Sequence, residues 1–508
     1  MISKVKSVTL NGLDTYLVDI EVSFTTGYPG FTIVGLPDAV IQESRERIKT
    51  ALKHVYSEIP IKKITVNLAP ADLRKEGSYL DLPVAVGILE AAGIIGKIPE
   101  NMAFIGELGL DGQIRGVSGA ISLALGAKNL GIESLVLSEE NAHEGAIVPE
   151  IKTYSFSNLN QLIEVFTGNL ALDNFLAKKT IEEEIETSFD IDYSDVKGQE
   201  RAKRAIVISA AGGHNILLMG PPGSGKSMLM KRFPTILPDL DDEESIIVTQ
   251  IYSLIGEMKN RKSLIRKRPF RSPHHSISPA GLAGGGSPPR PGEMSLAHRG
   301  VLFLDEILEF RKDLIESLRQ PLEDGKITIS RASSSITFPA QFLLAACSNP
   351  CRCGYFKDRF NPCTCAISDI KKYRSKLSGP IRDRFDIMLE VPRLSNEELL
   401  EMKTGKTSEE MKNEVLKAKK FKLYRTKGNP KNNSELSSKE IKKYIILDDK
   451  AKRLLATAID NHHFSARAYD KILKLSRTIA DLNEEEIVNS QHLAEAISLR
   501  NIKWDPYE

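Results

Sequence analysis

The chain has 508 residues, with 69 basic and 67 acidic side chains, 41% apolar residues and five cysteines. At roughly 100–200 residues per domain this length corresponds to about three domains, and the apolar content excludes a chain disordered throughout. A formal charge of +2 excludes recruitment of nucleic acid or membrane by a global field, so any such binding has to come from a local patch.

The opening run MISKVKSVTLNGLD lacks the apolar core of a signal peptide. The longest mostly apolar stretch, Leu82–Gly96, is shorter than the ~20 residues of a bilayer span and carries Glu90. All five cysteines fall between Cys347 and Cys365, unlike a disulfide framework spread along a chain. These features predict a cytoplasmic protein with no membrane partner.

From Val5 to about Phe166, β-rich runs (KSVTL, TYLVDIEVSF, FTIVGL, KKITVNL, SLVLS) alternate with helical patterns over Pro37–His54, Pro83–Ala92 and Ala120–Asn129. In the first of these, Ile41, Ile48 and Leu52 share one face with Val40 beside it. Glu43, Glu46 and Arg47 point away, and Arg45 interrupts the apolar side. An acidic segment, Ile181–Thr187, reads as a solvated linker or helix face. From about Tyr193 to Pro392, apolar strands (NILLMG, GVLFLDE, FLLAACSN) alternate with helices, the pattern of a parallel nucleotide-binding sheet. The remainder is mostly helical in pattern, with eight Lys/Arg against one Glu between Met411 and Lys431.

Gly220–Ser227 reads GPPGSGKS, a full match to G-x-x-x-x-G-K-[ST] between an apolar strand and a helix. Gly220, Pro221, Pro222, Gly223, Ser224 and Gly225 form a loop whose backbone N–H groups can wrap phosphates. Lys226 is placed to contact the β- and γ-phosphates of ATP and Ser227 to ligate Mg²⁺. Gly300–Glu306 (GVLFLDE) predicts a buried strand ending in two acids. Asp305 would hold the hydration shell of the Mg²⁺, and Glu306 would polarise water for attack on the γ-phosphate. Asn349 ends the next strand, where it positions water or forms an Asn-Pro turn. In SGPIRDRFD, Arg384 is the candidate arginine finger for a neighbouring subunit's ATP, and Arg382 competes with it.

These residues, with GQERAKRAIVISAAGGHNILLMGPPGSGKS, RPFRSPHHSISPAGLAGGG, GVLFLDEILEF, NPCRCGYF and SARAYDKILKLSRTIADL, resemble AAA+ ATPases of the magnesium-chelatase and replicative-helicase branch, most closely the bacterial ComM/YifB type. The resemblance covers nearly the whole chain. It implies an α/β protein with a P-loop NTPase core built on a parallel sheet and a C-terminal helical lid. It also implies a homo-hexameric, ATP-driven helicase that promotes branch migration on single-stranded or branched DNA during natural transformation or recombination, with recombination proteins as possible partners. By position, Gly198 and Gln199 would lie near the adenine, Asn349 would be sensor 1, Arg384 the trans finger and Arg467 sensor 2. The alternative is the motor subunit of a magnesium-chelatase-like complex that remodels a partner protein.

VNLAPADLRKEGSYLDLP followed by GELGLDGQIRGVSGAISLALGAKNLG resembles the proteolytic domain of Lon. At the position of the dyad lysine stands Ile121, between Ala120 and Ser122, and the serine position falls nearest Tyr79 with Ser78 adjacent. Without the lysine the base is missing, so the domain is expected to be non-proteolytic. The expected divisions are a degenerate Lon-like domain over 1–166, a linker over 167–190, an ATPase core over 191–393 with a cysteine hairpin at 347–365, and a lid over 394–508.

Cys351, Cys353, Cys363 and Cys365 form two C-x-C arms nine residues apart, able to surround one structural Zn²⁺, with Cys347 in the preceding strand as core. His274 and His275 have no third ligand at convincing spacing and suit a loop facing a ring pore. Lys326–Phe338 alternates like a hairpin that presents Lys326 and Arg331 to DNA phosphates. Lys412–Lys431, with Phe421 and Tyr424 interleaved, is a second candidate DNA surface or a solvated helix face.

Overall fold

A computed structural model describes residues 2–505 other than 27, 57–61, 73, 74, 76, 179–188, 259, 260, 262, 287, 288, 331–334, 396–404, 463, 464, 501 and 503. The expected linker segment Ile181–Thr187 and the candidate Arg331 lie outside the described residues.

The first sheet has seven strands in the order Gly30–Val34, Lys63–Ala69, Asp14–Thr25, Ile2–Asn11, Met102–Phe104, Ser134–Ser138 and Lys152–Phe156. Its first half mixes directions and the second is parallel. Val18, Ile20 and Val22 bury every second residue of one strand against the helix Asp81–Ala91, itself buried from Asp81 to Leu89. The alternation follows from the two-residue period of a strand with one face on a core.

Two expectations for the first helix are corrected. It runs Ala39–Val55 with Asp38 as N-cap, and Arg45 is exposed while Ser44 occupies the buried side. Arg47 does not point away. Its Nε donates to Asp81 Oδ2 at 2.6 Å, because a carboxylate buried at the head of the next helix needs a cation. The following helix starts at Asp81 and ends at Ala91.

The second sheet is parallel throughout, in the order Phe270–Arg271, Val301–Leu304, Leu343–Ser348, Ile216–Met219 and Ile387–Glu390. Every residue of Val301–Leu304, Leu343–Ser348 and Ile216–Met219 is buried, as expected of central strands covered on both faces. The register pairs Met219 with Ser348 and Leu304 with Ala346, so Gly220, Asp305 and Asn349 emerge at one edge. Lys326–Ser330 and Ser335–Pro339 pair as the expected antiparallel hairpin.

The C-terminal helices include Ser408–Arg425, Asp449–His462, Ala466–Leu482 and Ser490–Ser498. Within the first, Lys422 is buried and its Nζ donates to the carbonyls of Pro430 (3.1 Å) and Lys431 (2.9 Å). Arg425 is paired inside the fold with Asp481 at 2.6 Å, while Lys431 pairs at the surface with Glu440 at 3.0 Å. The Lys-rich segment is therefore not one solvated face; Leu416, Lys417, Lys420, Tyr424, Lys427 and Lys431 are among the residues that face water.

Among the described residues, the first unit meets the second around Ser253 and Met258 and again at the hairpin. The Gly119 N–H donates to the Ser253 carbonyl at 3.0 Å, beside a hydrogen bond from the Ser253 hydroxyl to buried Glu144. Gly12, in the turn between the first two strands, meets the hairpin: a Cβ there would stand 2.7 Å from Ile336 Cγ2. Among the described residues, no helix is long and apolar enough to cross a membrane.

The helices are anchored to the second sheet through Asp386, just before the strand Ile387–Glu390. Lys471 Nζ lies 2.8 Å from Asp386 Oδ1 and His214 Nδ1 3.3 Å from Oδ2, while His214 Nε2 reaches Thr478 Oγ1 at 2.8 Å. Burial pushes the Asp386 carboxyl up, but Lys471 and His214 outweigh it and hold it well below the usual carboxylate range. A depressed pKa adds stability that is full above the ordinary carboxylate value and is lost on acidification. Asp386→Ala, by leaving Lys471 buried without its carboxylate, should cost about 3 kcal/mol at pH 7. Thermal melts of both proteins should show that difference shrinking below about pH 4.

Candidate functional site: a phosphate-binding loop at the sheet edge

The loop after Met219 is shaped by close contacts and backbone freedom. Gly220 passes so near the next strand that a Cβ would lie 2.1 Å from the Val391 carbonyl oxygen, so no other residue fits there. Gly225, at φ +86°, turns the chain into the short helix Lys226–Lys231 in a conformation that L side chains avoid.

Four predicted side chains meet at this edge. Ser227 Oγ donates to Asp305 Oδ1 at 3.0 Å, setting a hydroxyl beside a carboxylate, oxygen donors of the kind Mg²⁺ takes. Lys226 Nζ donates to the carbonyls of Gly220 (2.8 Å) and Pro221 (2.9 Å) and lies 3.4 Å from Asn349 Oδ1. Burial pulls the Lys226 ammonium below its ordinary value, with Asp305 and Glu306 opposing. Glu306 is exposed beyond the strand end at φ +51°, an uncommon conformation for a residue with a side chain. Such an arrangement can hold a triphosphate and its cation and expose a carboxylate to water.

Gly198 and Gln199 also reach the loop. Both have positive φ, and Gln199 Nε2 donates to the carbonyls of Ser224 (3.3 Å) and Pro392 (2.7 Å). The three arginines lie elsewhere. Arg384 pairs with Glu323 at 2.7 Å, its Nε buried without an acceptor, and Arg382 sits 5.6 Å from the Trp504 ring centroid. Arg467 is exposed in the first turn of Ala466–Leu482. Among the described residues, none of the three makes a polar contact with Gly220–Ser227.

The cysteine arms converge. Cys351 Sγ is 3.3 Å from Cys353 Sγ and 3.7 Å from Cys363 Sγ, Cys353 is 3.6 Å from Cys363, and the four sulfurs lie within 4.8 Å of one another. With Zn–S near 2.3 Å, a tetrahedral site has S···S edges of about 3.8 Å, so the donor set fits one such ion. Cys347 is fully buried in its strand.

Two contributors escape sequence reasoning. Tyr193 is buried and its hydroxyl donates to the Leu229 carbonyl at 2.8 Å, pinning the helix after the loop. Arg374 is buried under the cysteine hairpin, its Nε donating to the Pro350 carbonyl at 3.0 Å. Neither carries a local signal, since each partner is distant in the chain.

At the other candidate site, Ile121 is buried in an apolar cluster against which Tyr79 packs. The Tyr79 hydroxyl is 2.6 Å from Thr9 Oγ1, and Ser78 is hydrogen-bonded to Glu107. The His274 and His275 rings lie tilted to one another with centroids 4.0 Å apart.

A parallel sheet ending in these residues defines a P-loop nucleoside triphosphatase. Family models match in three stretches: "Magnesium chelatase, subunit ChlI" over residues 192–399, "Subunit ChlI of Mg-chelatase" over 20–141 and "Magnesium chelatase, subunit ChlI C-terminal" over 405–500. Competence protein ComM of Haemophilus influenzae is 42% identical, the alignment covering 96% of this chain and 95% of the relative. The uncharacterized protein YifB of Escherichia coli is 40% identical over 97% of this chain and 95% of its own. Magnesium-chelatase subunit ChlI of Cyanophora paradoxa is 26% identical over 31% of this chain and 52% of its own. The chain belongs to the ComM/YifB-type, magnesium-chelatase-like family of AAA+ proteins. Membership implies ATPase activity with ATP and Mg²⁺.

Lys226→Ala removes the buried ammonium. A hydrogen bond to a charged group is worth about 1.5–3 kcal/mol, so nucleotide affinity should fall at least about tenfold. Titration with a fluorescent ATP analogue checks this, and Ser227→Ala should weaken the Mg²⁺ dependence of the same signal.

Proposed function

We propose that this protein is an ATP-driven DNA translocase, working in the cytoplasm as a homo-hexameric ring that promotes branch migration during natural transformation or recombination. The observation that carries the reading is the meeting of Lys226, Ser227, Asp305 and Asn349 at one sheet edge in a chain alike over nearly its whole length to a competence protein. Residues 1–166 are read as a non-proteolytic Lon-like domain, residues 191–393 as the motor core and residues 394–508 as a helical lid. Lon-like assignment accords with Ile121 buried in apolar surroundings, where no base can act.

In this reading Gly220–Ser227 cradles the phosphates, with Gly198 and Gln199 beside the base. Lys226 exchanges its two carbonyl acceptors for β- and γ-phosphate oxygens. Ser227 and Asp305 would hold Mg²⁺, which would supply positive charge to offset that of the phosphates. Glu306 polarises the attacking water and Asn349 orients it. A neighbouring subunit's γ-phosphate would compete with Glu323 for Arg384, or draw Arg382 from Trp504, and Arg467 would report from the lid. The hairpin carrying Lys326 and the exposed Lys417, Lys420 and Lys427 would meet DNA phosphates, and the cysteine cluster would hold a structural Zn²⁺. Recombination proteins are the natural partners of such a motor.

A second reading, a motor that remodels a partner protein in a magnesium-chelatase-like complex, is favoured by the names of the family models. The alignment with the Cyanophora paradoxa ChlI subunit nevertheless spans only 31% of the chain, against 96% for ComM of Haemophilus influenzae.

ATPase rates measured against single-stranded, forked and four-way DNA separate the two. Stimulation that fades steeply between 50 and 200 mM salt supports translocation, since phosphate contacts release counterions. No stimulation at low salt, and no strand displacement, would sink it. Glu306→Gln should keep ATP affinity while lowering turnover by about 10²–10⁴-fold.

A further inference from the structure

The cysteine hairpin is structurally anomalous. Residues 351–366 contain no helix or strand, and only Cys351 and Gly354 among them are buried. Two backbone hydrogen bonds close turns within the segment, Gly354 N–H to the Cys351 carbonyl and Asp358 N–H to the Tyr355 carbonyl, each 3.0 Å. Apolar burial therefore cannot fix this stretch, and ordering a chain segment costs about 1–2 kcal/mol per residue in backbone entropy alone. Its fold is nevertheless tight where the four sulfurs meet, 3.3–3.7 Å apart across three of the pairs and too far apart for disulfides.

The same segment presses on the nucleotide loop. Asn349, two residues before the first sulfur, lies 3.4 Å from Lys226 Nζ. Gly354, one residue after the second, turns at φ +88° against Pro222, and a Cβ there would stand 2.7 Å from the proline ring. From below, Arg374 holds the Pro350 carbonyl and stacks 5.2 Å from the Phe356 ring centroid. The loop is thus met at Lys226 by Asn349, just before the cysteine stretch, and at Pro222 by Gly354 within it.

We propose that Cys351, Cys353, Cys363 and Cys365 bind one Zn²⁺ whose role is to brace the nucleotide site, holding Asn349 to Lys226 and Gly354 to Pro222, so that ATP affinity depends on the metal. Four protein ligands leave no open position, which makes the ion structural. A mononuclear site suits the compact sulfur cluster. The inference rests on Gly220–Ser227 being the ATP loop.

The test uses the purified full chain without DNA. Metal content by mass spectrometry should be one zinc per chain. A fluorescent ATP analogue is then titrated into protein as purified, into protein stripped with a mercurial and a chelator and then returned to thiol, and into stripped protein resupplied with Zn²⁺. Stripping should weaken affinity about tenfold or more, and zinc alone should restore it. Circular dichroism should show the bulk of the fold kept. Cys365→Ser, altering one half-exposed ligand, should lose zinc and show the same weakening; if it does not fold, reversible stripping carries the test.

Four titratable thiols with no metal, or iron in place of zinc, would overturn the assignment. Zinc present but affinity unchanged on its removal would overturn the brace. Failure of zinc-loaded protein to bind any nucleotide would instead defeat the ATP-loop reading on which the inference rests.

Discussion

A sheet whose central strands are apolar on both faces can offer polar groups only where those strands end. Everything chemical in the second unit follows from that restriction. Val301–Leu304, Leu343–Ser348 and Ile216–Met219 are buried along their length, and their register delivers Asp305, Asn349 and the Gly220–Ser227 loop to one edge. The 3.0 Å hydrogen bond between Ser227 and Asp305 is the visible result, joining residues 78 apart in the chain. Shifting one strand by a single residue would put a carboxylate in the core and a leucine at the edge.

The same logic explains how the C-terminal helices stay in touch with the sheet. Asp386 stands at the start of the strand beside Ile216–Met219 and gathers Lys471 and His214 from two different helical neighbourhoods. A single buried charge with two partners is costly to disturb, which makes it a firm joint. Arg425, Asp481 and Arg477 form a second ionic knot within the helices themselves.

What the sequence made legible divides along these lines. The phosphate loop, the acidic strand end and the cysteine arms are written locally, in residue types and spacings that single them out, and the structure brings each set together. The direction of a side chain was harder to read wherever its partner lay far along the chain. Lys422 and Arg425 look like surface cations until Pro430, Lys431 and Asp481 fold onto them. Arg47 looks solvated until Asp81 arrives, and Arg374 looks like an ordinary helix end until Pro350 claims its guanidinium. Ser44 takes the inward place that helical periodicity gave to Arg45, because a small hydroxyl can fill it and still donate to the Val40 carbonyl.

The contact between Gly12 and Ile336 has a mechanical meaning. The hairpin Lys326–Pro339 abuts the turn of the first sheet so closely that not even a methyl group would fit between them. Motion of the hairpin toward that turn would drive Ile336 into Gly12, and on its other side Ile327 and Ile329 pack against the core around Leu282 and Ala283. The turn of the first unit and the second unit's own core thus hold the hairpin between them, so that a shift of either surface is felt by the same short arm.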